Sequence, residues 1–222
     1  MRTQRIGILI FDDFEPLDVW GFAEAFTIAR FVGKDRSERP FPFEVVFIAA
    51  EKRPIRSSNG PKAMPDYDLG EASAEAFDVL MVPGGMGTRT IINDQPLLEW
   101  LVAMDKRVAI MASVCTGAAL LAKAGLLDGR PAATNHAAFA WVVQQGPDVL
   151  WDSVSRWVDA GHYVTSAGVS AGTDMAFHLV SRLAGRAVAE NAVRAAEYDW
   201  HRDPQEPIVY PPQAKVKRPG SA

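Results

Sequence analysis

The chain has 222 residues, 48% of them hydrophobic and 23% charged, and a formal net charge of −4, a globular composition long enough for one sizeable core. No Lys/Arg cluster suits nucleic acid or an anionic membrane surface, and no apolar stretch reaches the ~20 residues of a membrane span. The single cysteine excludes a disulfide within the chain and the N-terminus lacks the features of a secretory signal, so the expected setting is cytoplasmic.

In chain order, the first apolar run, 6–11, reads as a buried parallel strand, and a helix over 18–31 follows it. That helix carries Trp20, Phe22, Phe26 and Ile28, with apolar residues around nearly its whole circumference. An outer helix should keep a polar face, so this one is expected either beneath the C-terminal segment or at a subunit interface. The charged stretch 33–40 reads as a loop. Strands are expected at 43–49, 79–82 and 108–113 and, more weakly patterned, at 131–135; helices at 96–106 and 116–127 separate them. Alternation of this kind implies right-handed crossovers and a mostly parallel sheet covered by helices, an α/β, flavodoxin-like three-layer sandwich. Beyond it, 153–158 and 163–166 read as an antiparallel hairpin turning at 159–162, and 171–183 and 187–200 as helices divided by Gly185. The last twenty residues hold five of the fifteen prolines. The expected organisation is one domain over 1–202 and an extended, proline-rich tail over 203–222.

The densest chemical signal is Ser113-Val114-Cys115-Thr116-Gly117, which joins a buried strand to an Ala/Leu-rich helix. Small residues two places to either side of the cysteine are what a nucleophile elbow requires, because the tight turn has no room for bulk there. Exposed amides at the helix start are expected to favour thiolate over thiol. Other strand ends should meet the same crevice. The first leads to Leu17 and Asp18, and a carboxyl at 18 is either a helix N-cap or the acid partner of Cys115, in which case the two titrate as a unit. The third ends in Val82-Pro83-Gly84-Gly85, where Gly84 and Gly85 either form a plain turn or offer amide hydrogens to developing negative charge. His136, His162, His178 and His201 are scattered without metal-ligand spacing, and Gly84-Gly85-Met86-Gly87-Thr88 matches no phosphate-binding loop, so neither metal nor cofactor is expected.

Residues 11–21, Val82-Pro83-Gly84-Gly85, Ser113-Val114-Cys115-Thr116-Gly117 and the block 165–172, in that order, resemble the signature blocks of the ThiJ/PfpI superfamily over roughly residues 5–200. Within it the chain is similar to the isocyanide hydratase branch: the acid at position 18 is Asp rather than Glu, and Thr116 follows the cysteine where the protease-like branch has His. The resemblance implies a flavodoxin-like fold, a homodimer, a small-molecule electrophile as partner, and Cys115, Asp18 and Thr116 as catalytic residues. Leu17, Gly84, Gly85 and Gly168 are the substrate-binding residues it suggests. Many relatives carry Thr-Thr-His-Trp where this chain reads Ala133-Thr134-Asn135-His136-Ala137, which alters the pocket wall. The chain also resembles the sensor half of AraC-type regulators, without their helix-turn-helix region.

Three activities follow from these residues. The first is hydration of an isocyanide to an N-substituted formamide through a Cys115 thioimidate. The second is glyoxalase or deglycase chemistry on small α-oxoaldehydes, which calls for a proton-moving histidine and leaves His136 as the candidate. The third is a non-catalytic sensor whose cysteine is oxidised or binds a ligand.

Overall fold

The computed structural model describes residues 2–34 and 37–208. β1 (Gln4–Leu9) leads through a loop to α1 (Pro16–Thr27), and β2 (Phe43–Ala49) returns beside it. β3 (Ile55–Arg56) and β4 (Lys62–Ala63) form a small separate hairpin ahead of β5 (Tyr67–Asp68) and α2 (Leu69–Ala72). β6 (Val79–Val82), α3 (Gly87–Ile91), α4 (Gln95–Asp105), β7 (Ile110–Val114) and α5 (Gly117–Lys123) continue the alternation. They are followed by β8 (Pro131–Ala133), α6 (Phe139–Val143), β9 (Leu150–Asp152), β10 (Trp157–Ala160), β11 (Tyr163–Ser166), α7 (Ser170–Ala184) and α8 (Arg186–Ala195).

The main sheet has the order β10-β11-β7-β6-β1-β2-β5. Every pairing in it is parallel except β10 with β11. β6 and β7 are buried at every position, as strands covered by helices on both faces must be. The architecture is the flavodoxin-like one expected. From β1 the chain passes first to β2 on one side and later to β6 on the other, so the order reverses between β1 and β6. Outside the carboxyl ends of strands at such a reversal, diverging loops leave a crevice.

α1 settles much of its own puzzle. Phe22 and Phe26 are fully buried, Phe26 meets Phe43 edge-on at 5.0 Å, and Gly21 lies directly against Thr173 of α7. Most of the apolar circumference is therefore consumed by α7 and β2. Leu17 and Trp20 stay exposed, at 46% and 39%.

The structure corrects several boundaries. α1 starts at Pro16, whose fixed φ suits the first turn, and stops at Thr27, short of the expected 31. α5 ends at Lys123 because Gly125 turns left-handed at φ 75°. The final helix stops at Ala195, and Glu197 at φ 49° breaks what was expected to run to 200. Residues 153–156 are not strand: Asp152 accepts bonds from the Val154 and Ser155 amides and the Ser155 hydroxyl, which curls them into a turn. The hairpin instead turns at Gly161 and His162. The weak 131–135 run pairs with β9 in a separate two-stranded sheet and does not join the main one. β3, β4, β5 and α2 escaped the sequence reading because elements of two to four residues carry no period.

Nor does the chain leave the domain at residue 203. Pro204 accepts the Arg156 amide at 2.8 Å, and Gln205 donates to Ser155 Oγ at 2.8 Å. The remainder of the expected tail, 209–222, lies outside the described residues. What ties this strap down is Asp174, fully buried in α7. It accepts Arg156 Nη2 at 2.7 Å, the Tyr198 hydroxyl at 3.0 Å and the His201 amide at 3.1 Å. Truncating one member of a buried ion pair leaves the other charge uncompensated, a cost of about 3–5 kcal/mol. Asp174→Ala is therefore expected to lower the urea midpoint by that amount of stability and to free residues 198–206 for proteolysis, measured by denaturation and limited digestion.

Candidate active site

Cys115 occupies a left-handed backbone conformation, φ 57°, between the last residue of β7 and the start of α5. For a non-glycine residue this is strained, and it persists because the surroundings hold it. The Cys115 amide donates to Ala167 O at 3.1 Å, and Thr134 Oγ1 donates to the Cys115 carbonyl at 2.8 Å. Two neighbours have no room for a side chain. A Cβ on Gly117 would collide with the Val82 carbonyl, and one on Gly84 would stand 2.6 Å from the Thr116 amide nitrogen. The elbow is thus a close crossing of the β7 turn with the loop after β6.

Asp18 sits in the first turn of α1 and is completely buried. The N-cap position belongs to Glu15, so the capping explanation for Asp18 falls away. Its Oδ2 accepts the Gly84 amide at 2.8 Å, while Oδ1 has no hydrogen-bond partner within bonding distance among the described residues. Burial raises this carboxyl to about 7, and the charge of Glu15 adds to the effect; the Gly84 amide and Cys115 act against it. Burial likewise pushes the Cys115 thiol up to about 12, assisted by the Asp18 charge and opposed by the Thr116 amide, the Asn135 side chain and the Val169 amide. The expected resting thiolate is therefore corrected to a thiol. α5 spans only seven residues, and its amides are outweighed by desolvation and by Asp18. Asp18 and Cys115 do interact, as a pair that retains a proton at neutral pH.

Thr116 braces the site. Its Oγ1 accepts the Gly85 amide at 3.0 Å and lies 3.2 Å from Thr88 Oγ1, while its own amide faces the sulfur. The amides of Gly84 and Gly85, for which either a plain turn or contact with negative charge on a ligand was open, are committed to Asp18 and Thr116. Cys115, Thr116 and Gly85 line a crevice of about 470 Å³. Leu17, Gly84 and Gly168 do not line it, and Asp18 lies behind its wall, reached through Cys115. Leu17 is on the exposed side of α1; Gly168 lies against Asn135, where a Cβ would stand 2.7 Å from Nδ2. Its smallness thereby sets where the Asn135 amide sits. His136 is not a wall of the crevice either, and its electrostatic influence falls on Asp152.

Sequence reasoning missed Asn135, the Val169 amide, Glu15, Asn59, Met86 and Arg89, all of which line the crevice. Asn135 stood in view within the 133–137 block. Its neighbour Ala138 donates to Asn135 Oδ1 at 2.9 Å, which leaves the NH₂ group for the sulfur.

The sequence profile of the DJ-1/PfpI family matches residues 4–182. Isonitrile hydratase from Pseudomonas putida is 28% identical over 194 residues, covering 87% of this chain and 78% of that protein. The HTH-type transcriptional regulator GbdR of Pseudomonas aeruginosa is 27% identical over 205 residues; the match takes in 92% of this chain but 53% of the regulator, so the chain spans about half its length. Among solved structures, a THiJ/PfpI family protein from Pseudomonas syringae superposes with a TM-score of 0.78 at 26% identity, over 90% of this chain and 76% of that one.

Because the Asp18 charge adds to burial in holding the thiol up, Asp18→Asn should lower the Cys115 pKa by the electrostatic share while burial keeps it above the ordinary thiol range. Alkylation by iodoacetamide at pH 9 is then expected to run about tenfold faster in Asp18→Asn than in the unaltered protein, whose rate climbs only at higher pH. Equal rates across the pH range would contradict the electrostatic coupling.

Proposed function

The chain belongs to the DJ-1/PfpI family, and from that premise we propose that it is an isocyanide hydratase, adding water to an isocyanide to give an N-substituted formamide. The observation that carries this reading is the buried Asp18 carboxyl, near-neutral in strength and with Oδ1 uncommitted, beside Cys115. Isocyanide hydration needs one group to form a bond to the terminal carbon and one to deliver a proton to that same carbon. A thiol and a carboxylate sharing a single proton supply both.

In the first half, Asp18 takes the thiol proton as sulfur attacks the isocyanide carbon, forming the C–S bond. The new Asp18 carboxylic acid then returns that proton to the carbon, which leaves a neutral thioimidate, R–N=CH–S–Cys115. The Thr116 and Val169 amides and the Asn135 side chain, which stabilise negative charge on sulfur, lower the cost of the attack. In the second half the Asp18 carboxylate accepts a proton from water as its oxygen adds to the same carbon. Asp18 returns that proton to the nitrogen, the C–S bond breaks as the hydroxyl proton passes through Asp18 to the sulfur, and formamide leaves with the thiol restored. Asp18 relays one proton in the first half and two in the second, without metal or nucleotide.

The α-oxoaldehyde alternative draws less support, since no histidine lines the crevice. A cysteine-based sensor is the second reading, favoured by the likeness to GbdR. We propose also that the protein is a homodimer; the exposed Leu17 and Trp20 support this.

Purified protein is expected to convert para-nitrophenyl isocyanide to the formamide. Cys115→Ala should eliminate conversion and Asp18→Asn should reduce it by at least ~10²-fold. A second proton on the pair removes the base. kcat/KM should therefore fall as pH drops through about 7, the value at which burial holds Asp18. Consumption of methylglyoxal with isocyanides untouched would overturn the assignment, and inertness toward both with a reactive Cys115 would favour the sensor.

A further inference from the structure

Among the described residues, Arg89 is the one cation lining the crevice that holds Cys115. It projects from α3, a helix that begins immediately after Gly85-Met86 and so is positioned by the same loop that holds Asp18. Its guanidinium carbon lies 4.4 Å from the centre of the Trp141 ring on α6, and Nη1 is 3.7 Å from Met86 Sδ. These are soft contacts. The ring supports the flat face of the guanidinium and fixes its plane, while a sulfur at that distance consumes little donor capacity. Among the described residues Arg89 has no carboxylate partner, in contrast to Arg5, Arg53 and Arg156, each of which is ion-paired.

A guanidinium stacked on an aromatic ring and left without a counter-ion has its edge free to receive two carboxylate oxygens side by side. The crevice has one other charged wall, Glu15, and that charge acts on Asp18. It therefore disfavours an anion near the acid and leaves Arg89 as the place for one. Asn59 adds an exposed amide to the lining of the same crevice.

We propose that Arg89, held by Trp141, makes this crevice selective for electrophiles that carry a carboxylate. Under the hydratase reading, on which this inference rests, the preferred substrates are isocyano carboxylates and the products are N-formyl amino acids or N-formyl aminobenzoates. Arg89 is a specificity residue: it anchors the far end of the substrate and takes no part in proton transfer.

The test measures turnover of isocyanoacetate and 4-isocyanobenzoate, each against its methyl ester, by the unaltered protein, Arg89→Gln and Arg89→Lys. The two acids differ in reach from isocyanide carbon to carboxylate. At least one acid is expected to exceed its ester by about tenfold or more in kcat/KM. Arg89→Gln should erase that preference, chiefly through KM, with the esters within about twofold of the unaltered protein, and Arg89→Lys should restore part of it. The side chain is exposed, so the variants should melt with the unaltered protein. Esters and acids turned over alike, with Arg89→Gln affecting neither selectively, would overturn the role of Arg89 and leave the hydratase reading standing. A binding arm separates the two ideas. N-formylglycine, followed by tryptophan fluorescence, is expected to bind at least about tenfold more tightly than its methyl ester and to lose that advantage in Arg89→Gln. If no isocyanide is converted, the hydratase reading fails, and this arm alone decides whether the crevice selects carboxylates. Binding that ignores the carboxylate would overturn the inference.

Discussion

The hydrogen bond from the Gly84 amide to Asp18 Oδ2 joins the three segments on which the site depends. It connects the loop after β6 to the first turn of α1, and Gly84 is also the residue whose missing side chain lets Thr116 and the elbow approach. The bond fixes one oxygen of a fully buried carboxyl and leaves the other uncommitted. Burial opposed only by two neutral donors, the Gly84 amide and the Cys115 thiol, does not repay the loss of water around a charge. The carboxyl therefore holds its proton to a pH far above the range of an exposed aspartate. Without this bond the buried Asp18 would hold its proton to a still higher pH.

The fold supplies that geometry through topology. β1 and β6 lie side by side where the strand order reverses, and β7 is the next strand over. Their carboxyl ends deliver the α1 entry, the Gly84-Gly85 loop and Cys115 to one crevice. Backbone strain at Cys115 is tolerated because bonds to Ala167 and Thr134 anchor it on the far side. Those two partners follow β11 and β8, so elements late in the chain secure a residue from its middle.

The alternation of helices with apolar strands and the elbow were legible in the sequence because each depends on local pattern: β-branched runs for β1, β2 and β6, and small residues at 113 and 117 for the turn. Asp18 was legible as a carboxyl at a strand end. Its role as an uncapped, buried acid was not, because that depends on Pro16 starting the helix two residues early. Asn135 was hidden for a related reason. Its amide reaches the sulfur only because Gly168, over thirty positions later, leaves it space. The resting state of the thiol was misjudged from the sequence. A helix start next to a cysteine is a local cue, whereas desolvation and the Asp18 charge arise only when distant segments close around it.

Burial, opposed by the Gly84 amide, keeps Asp18 near pH 7 beside a thiol. Infrared difference spectroscopy of the unaltered protein against Asp18→Asn, across pH 4 to 9, observes that group directly. The carbonyl stretch of a protonated Asp18 is expected to dominate at pH 5 and to give way to carboxylate bands with a midpoint at about 7. A transition centred near the ordinary aspartate value of about 3.9, with carboxylate bands already complete at pH 5, would contradict it.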